Sequence, residues 1–311
     1  MSDNEQIKPI RKTWIMLKKA ILGMPISSLP LGALVKDVNS VFLGSPVIWK
    51  IADFNHIGYP ENSVTLITNK SIALRCFDAV EPTNPSPQRA ATGNGRYETS
   101  NVRQWLNSDA AAGQWYVAQH AYDQAPNNTG YTSNGTLYAN KEGFLNGFSE
   151  EFKKALLDTT LITANNNCTY NNYGEKGGKY TVIDKIFLPS PAELNAGNTN
   201  NIAEGSKIAI FSDYRSRQAC VTAEAIVDAG SSINRPANDN SIWDYWTRSP
   251  EPSQDRSVRI VYITSNYPGN LYNTYACRST PGIRPLCNLP ITTRVSETPD
   301  EDGCYRIVQF I

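Results

Sequence analysis

The run from Ile242 to Leu289 limits the fold of this chain more than any other stretch. Its ends are stiff: an aromatic segment closed by Arg248-Ser249-Pro250 on one side, and Gly282-Ile283-Arg284-Pro285-Leu286 on the other. Between them Val258, Ile260, Val261, Ile263 and Leu271 are interleaved with Tyr, Asn, Ser, Thr, Asp and Arg. Such interleaving predicts strands that bury one face and offer the other to solvent. The offered side chains are rich in Tyr and Asn, a composition suited to an adaptable binding surface. Tyrosine gives broad contact at low entropic cost, and asparagine gives hydrogen bonds that can re-aim. No lysine follows Lys207, so the basic groups here are all arginine, which forks and stacks better at an interface. Polar loops over an ordinary β domain account for part of the same composition.

At 311 residues and 40% hydrophobic content, the chain can hold one large or two ordinary domains around a real core. Lysine and arginine number 29 against 29 acidic residues, so nucleic-acid binding has no global electrostatic support. Six cysteines are scattered without a Cys-x-x-Cys pair or zinc spacing, and free thiols are the expectation. Near the N-terminus, Trp14 to Leu17 and Ala20 to Leu22 are separated by Lys18-Lys19, and no small-residue cleavage site follows. A secretory signal is therefore not expected, nor is membrane insertion. The segment reads instead as a short amphipathic helix that docks on a partner or on the domain itself.

Residues 1–30 form this docking helix and a linker (Pro25 to Pro30), and residues 31–311 form one domain. Val47–Ala52 and Val64–Thr68 read as strands joined by a turn-rich loop, with a third strand over Ser71–Phe77 and a polar loop over Glu81–Arg96. Ser100 is placed to cap a helix through Leu106, and Ser108-Asp109 precedes a helical turn to Trp115. Phe144, Leu145, Phe148, Phe152 and Leu156 recur at helical spacing, with Ser149 as a cap and Glu150-Glu151 in the first turn. Tyr180–Ile183 and Lys185–Leu188 are further strands, Pro191–Leu194 a helical turn, and Ala219–Ala229 fits helix or strand. A last strand is expected over Tyr305–Phe310, after the acidic turn at Asp300–Gly303.

Several motifs occur in a fixed order. They are Ile72–Asp78, Asn101-Val102-Arg103-Gln104-Trp105-Leu106-Asn107, Gly143–Phe148, Asp184–Leu188, Trp246–Pro250 and Gly282–Pro285. In this order they resemble the DUF6273 domain family, frequent in phages and prophages of Gram-positive gut bacteria, over roughly residues 40–290. The resemblance implies an α+β, C-type-lectin-like fold of the formylglycine-generating-enzyme type, with short twisted antiparallel strands, at least two helices and long polar loops. It also implies ligand binding. Some such proteins resemble the variable proteins of diversity-generating retroelements, in which adenine positions near the C-terminus are rewritten, and the stretch between Pro250 and Gly282 has the matching vocabulary. The chain beyond Leu289 departs from the family pattern and sets that stretch back from the end.

Catalytic constellations are thin. The two histidines, His56 and His120, sit in loop-like contexts. Cys277 and Cys287 lack the motif context of formylglycine-generating enzymes, and Glu81-Pro82-Thr83-Asn84 departs from the calcium motif of sugar-binding lectins by an inserted Thr83. No cofactor, metal or enzymatic activity is expected. The expectation is a receptor-binding protein, phage- or prophage-tail-associated and made in the host cytoplasm. Its partners are a host surface protein or glycan and other tail proteins; a homotrimer is the usual assembly, although the sequence does not fix the number. The expected ligand-binding residues are Tyr245, Asp255, Arg256, Arg259, Tyr262, Thr264, Asn266, Tyr267, Asn270, Tyr272, Asn273, Tyr275 and Arg278. A structural virion protein and an enzyme of the formylglycine-generating fold are the alternatives.

Overall fold

The computed structural model describes residues 23–133, 136–165, 177–199, 201–231, 234–263 and 268–310. The expected docking helix over Trp14 to Leu22 lies outside them. In chain order the strands are β1 (Met24–Pro25), β2 (Leu34–Phe42), β3 (Ser45–Phe54), β4 (Ser63–Thr68), β5 (Ala73–Leu74), β6 (Thr159–Ala164), β7 (Lys179–Asp184) and β8 (Ile186–Phe187). They continue as β9 (Tyr245–Pro250), β10 (Ser257–Tyr262), β11 (Asn270–Tyr275), β12 (Gly282–Ile283), β13 (Leu286–Pro290), β14 (Arg294–Val295) and β15 (Cys304–Gln309). Four short α-helices accompany them among the described residues: α1 (Pro87–Thr92), α2 (Asn101–Leu106), α3 (Glu150–Ala155) and α4 (Ala223–Asp228). The class is thus mixed α+β and dominated by strands, in three sheets.

The eight-stranded sheet runs β1-β14-β15-β2-β3-β4-β13-β8, and the five-stranded sheet β11-β10-β9-β12-β5; β6 and β7 form a separate hairpin. Pairing is mostly antiparallel, but β15 lies parallel to β2 and β12 parallel to β9. Two strands that lie between neighbours, β4 and β9, are buried at every residue. The segment read as a linker is built into the body: Met24 and Pro25 pair with Val295 and Arg294, and Ile26 is fully buried.

All four helices start at a side-chain cap, of which Ser100 and Ser149 are the two that the sequence predicts. Ser100 Oγ accepts from Arg103 N, Ser149 Oγ from Phe152 N, and Thr222 Oγ1 from Ala225 N, each satisfying an amide that the helix leaves free. The aromatic periodicity that predicted a helix from Phe144 onward is realised differently. Phe144 N donates to Trp105 O (3.0 Å) and Leu145 N to Ser108 O (2.9 Å), so these amides serve another segment, and the helix begins only at Glu150. Burial of the rings is kept: Phe144–Phe148 and Phe148–Phe152 centroids lie 4.9 and 5.3 Å apart, edge to face. Ser108 to Trp115 is turn rather than helix, and the third strand over Ser71–Phe77 shrinks to Ala73–Leu74.

The ordered motifs of the sequence are frame residues. Arg248 and Glu193, both wholly buried, form a two-pronged ion pair (2.5 and 2.7 Å), and Arg248 also donates to Leu188 O (3.1 Å) and Glu204 O. Trp246 Nε1 donates to Arg75 O (2.9 Å), and Arg284 spans Thr68 O and Arg217 O at 3.2 Å each. Gly282 is demanded by space, since a Cβ there would meet Ser71 Oγ at 2.5 Å. Trp105, Phe187 and Trp246 are buried, as a supporting frame requires. No helix among the described residues is long and apolar enough to cross a membrane.

Candidate functional site

Strand β11 ends the five-stranded sheet and is held by β10 alone. None of its residues is fully buried, whereas β10 keeps Val258, Ile260 and Val261 inside. The ribbon is pinned at its turn. Arg217 Nη1 donates to Gly269 O (3.1 Å), Gln218 Nε2 to Pro268 O (3.1 Å), and a Cβ at Gly269 would run into Tyr214 O.

Pairing register sorts the expected ligand-binding residues onto two faces. Tyr262 opposes Asn270 and Ile260 opposes Tyr272, so Tyr262, Asn270 and Tyr272 share one face. Tyr262 and Tyr272 are in ring contact at 5.1 Å, and Tyr272 is 57% exposed. Arg259 opposes Asn273 and Ser257 opposes Tyr275, which places Arg259, Asn273 and Tyr275 on the other face. There Glu251 Oε2 receives both Arg259 Nη1 and Asn273 Nδ2 at 3.1 Å, and the Arg256 guanidinium lies 5.2 Å from the Tyr275 ring centre. The expectation of one continuous solvent face is therefore corrected: an edge strand exposes both of its sides. Arg278 is exposed beyond the strand end.

Tyr245 and Asp255 do not reach this surface. Tyr245 is fully buried on β9, its hydroxyl donating to Arg217 O (2.7 Å). Asp255 is 2% exposed and faces Arg89 at 3.3 Å. Both belong to the frame, Tyr245 on the buried strand β9 and Asp255 in the turn before β10, buried against Arg89. Thr264, Asn266 and Tyr267 lie outside the described residues.

The two cysteines considered for catalysis are separated by the architecture. Cys277 follows β11, while Cys287 sits in β13 of the larger sheet between β4 and β8. Burial raises the Cys277 thiol to about 11 and the Cys287 thiol well above its ordinary value, so both stay protonated at neutral pH.

A second cluster went unread in the sequence. Asp78 and Glu81, just after β5, converge with His120 from a loop, their ligand atoms all within 4.8 Å of one another. Asp78 Oδ1 accepts from Asn101 N (3.0 Å) and Oδ2 from Asn94 N (3.2 Å). Asn84 turns its amide NH2 onto Glu81 Oε2, so its own oxygen is directed elsewhere, onto Ser86 N. Burial, then the charges of Asp123 and Glu81, push Asp78 well above the usual carboxylate range. Burial likewise raises Glu81, and brings Asp123 to about 6. His120 is lowered to about 4 by burial and by Arg89 and Arg96, so it is neutral at pH 7. Its 3.6 Å approach to Glu81 Oε1 is then neither an ion pair nor a hydrogen bond. Asp78 and Glu81 come from one non-helical segment and His120 from another, so no local spacing signals the cluster.

Neither the curated proteins nor the solved structures gave a match. The family comparison did, with a domain of unknown function, DUF6273, over residues 62–291. That span runs from β4 to the end of β13 and takes in the Arg248 frame, the ribbon and the carboxylate cluster, leaving β1, β2, β3, β14 and β15 outside it. Matched over most of its length, the chain belongs to the DUF6273 family.

Proposed function

We propose that this protein is a ligand-binding protein whose β10–β11 ribbon contacts a host surface protein or glycan, within a C-type-lectin-like frame carried on a phage or prophage tail. The observation that carries this reading is β11 itself, an edge strand with no buried residue that bears Asn270, Tyr272, Asn273 and Tyr275. Strands on the rim of a domain are ordinarily short, charged or covered, since a bare edge invites unwanted pairing. An uncovered edge furnished with tyrosine, asparagine and arginine is better suited to contact than to solubility. Aromatic and arginine anchors supply most of the affinity at such surfaces, and several copies in one tail, as in a homotrimer, strengthen weak single contacts.

The test is binding of the fluorescently labelled protein to cells of the source community. Replacing Tyr272 and Tyr275 together by Ala is expected to weaken binding at least about tenfold, the order of one lost anchor. Unchanged binding by a folded double variant points instead to a structural virion protein. Sequencing the gene across its population tests the retroelement reading separately. Because Val258, Ile260 and Val261 are core, variation at adenine-derived codons is expected from Tyr262 to Arg278 and not from Ser257 to Val261. Uniformly low variation would remove retroelement diversification and leave a binder of fixed specificity.

A further inference from the structure

The Asp78, Glu81 and His120 cluster has a feature that a merely structural polar group lacks. Glu81 is 0% exposed, yet its Oε1 has no hydrogen-bond partner, and His120 Nε2, 3.6 Å away, has none either. A wholly buried carboxylate oxygen and an imidazole nitrogen facing each other at 3.6 Å, neither with a hydrogen-bond partner, are costly to leave so, and a cation between them would satisfy both. The two arginines beside the cluster are engaged elsewhere, Arg89 facing the buried Asp255 at 3.3 Å and Arg96 pairing with Glu98 at 2.9 Å.

We propose that Asp78, Glu81 and His120 bind one divalent first-row transition-metal ion. The spacing fits. Donors on two arms of about 2.1 Å at a tetrahedral angle stand about 3.4 Å apart, close to the His120–Glu81 separation. One imidazole with carboxylates selects zinc, manganese or iron(II) over calcium and magnesium, which take oxygen donors alone. The carboxylates are already oriented from behind, Asp78 by the Asn94 and Asn101 amides and Glu81 by Asn84, as the outer partners of metal ligands usually are. The partly exposed His120 lines a cavity of about 180 Å³ together with Asn84, Arg89, Asn94, Arg96 and Tyr122. An ion here ties the chain after β5 to the 120–123 loop. This site stands apart from the ribbon, and it holds or fails whatever the ribbon binds.

The test is calorimetric titration of the full chain, stripped with EDTA, with zinc chloride and in parallel with calcium chloride. One zinc per chain is expected, with His120→Ala and Glu81→Gln each weakening it at least about tenfold. Zinc is also expected to raise the melting temperature of the wild type and not of His120→Ala. Should either variant fail to fold, cobalt(II) on the wild type decides: a visible spectrum with one nitrogen donor is expected, and an all-oxygen spectrum overturns the proposal. It is equally overturned by no saturable zinc binding, by zinc binding that His120→Ala leaves unchanged, or by calcium binding as tight as zinc.

Discussion

Arg248 and Arg259 lie on adjacent strands of one sheet and have opposite surroundings. Arg248, on β9, is wholly buried, and its donors reach Glu193, Leu188 O and Glu204 O. Arg259, on β10 beside the edge, keeps 27% of its side chain in solvent and holds Glu251 at 3.1 Å. The tyrosines divide the same way, Tyr245 locked inside by its hydroxyl and Tyr272 more than half exposed on the rim. Residue type alone does not assign a role here. What assigns it is how far the faces of each strand are covered: β9 is buried at every residue, whereas β10, next to the edge strand β11, keeps Arg259 and Tyr262 partly in solvent.

That contrast can be broken from the frame side first. Arg248→Ala strands Glu193 in a dry interior and is expected to cost about 3–5 kcal/mol, the usual consequence of removing one member of a buried pair. Urea unfolding measures it, and a loss below about 1 kcal/mol would show that the frame does not depend on the pair. Next comes Gly269→Ala, at the ribbon's turn. Its φ of +99° and the close approach of Tyr214 O leave no room for a methyl group, so a loss of about 1–3 kcal/mol in thermal unfolding is expected. A neutral result would mean that the turn can re-form without its clamp.

Asp244 sharpens the comparison through pH. It stands at the start of β9, accepting from Ile263 N at 2.8 Å, and burial raises its carboxyl from 3.8 to about 6. A native-state value above the unfolded one means that ionisation penalises the fold. The penalty is absent below about pH 4, grows as pH rises to about 6, and is complete above that. Asp244→Asn removes it and is expected to stabilise by about 1–2 kcal/mol at pH 8, after allowance for the group's partial exposure, and by almost nothing at pH 4. Denaturant titrations at the two pH values check this, and an equal gain at both would rule out ionisation as the cause. The smallest effect on stability is expected at the rim: Tyr272→Ala should stay within about 0.5 kcal/mol of the wild type. A much larger loss would make Tyr272 part of the frame.

How far the sequence was legible follows from the same physics. Strands β3, β4, β7, β8 and β15 were readable because their apolar runs are bounded by turn residues. Helices α2 and α3 were readable because Ser100 and Ser149 mark their starts, whereas α4 lies in Ala219–Ala229, a stretch that fits helix or strand, with its cap Thr222 inside it. Helix α1 was hidden in a Pro- and Asn-rich loop even though Ser86-Pro87 is a sound start signal. Phe144 to Phe148 misled because rings at helical spacing can also be buried by a turn whose amides bond elsewhere. In the ribbon, composition identified an exposed element but not its two-sided exposure, which depends on β11 being last in its sheet. The carboxylate and histidine cluster joins segments far apart in the chain, and no local pattern brings Glu81 to His120.

The parallel seam between β15 and β2 bears on how the protein is made. Cys304, Tyr305 and Arg306 pair with Leu34, Val35 and Lys36, and Lys36 is clasped by Asp300 and Asp302 at 3.2 and 2.6 Å. Strand β2 therefore waits for a strand far along the chain before its outer edge is covered. Such long-range closure is slow, and meanwhile the edge of β2 is open to other chains. Closure of the larger sheet consequently waits on β15, and chains truncated before Cys304 should remain open to proteases.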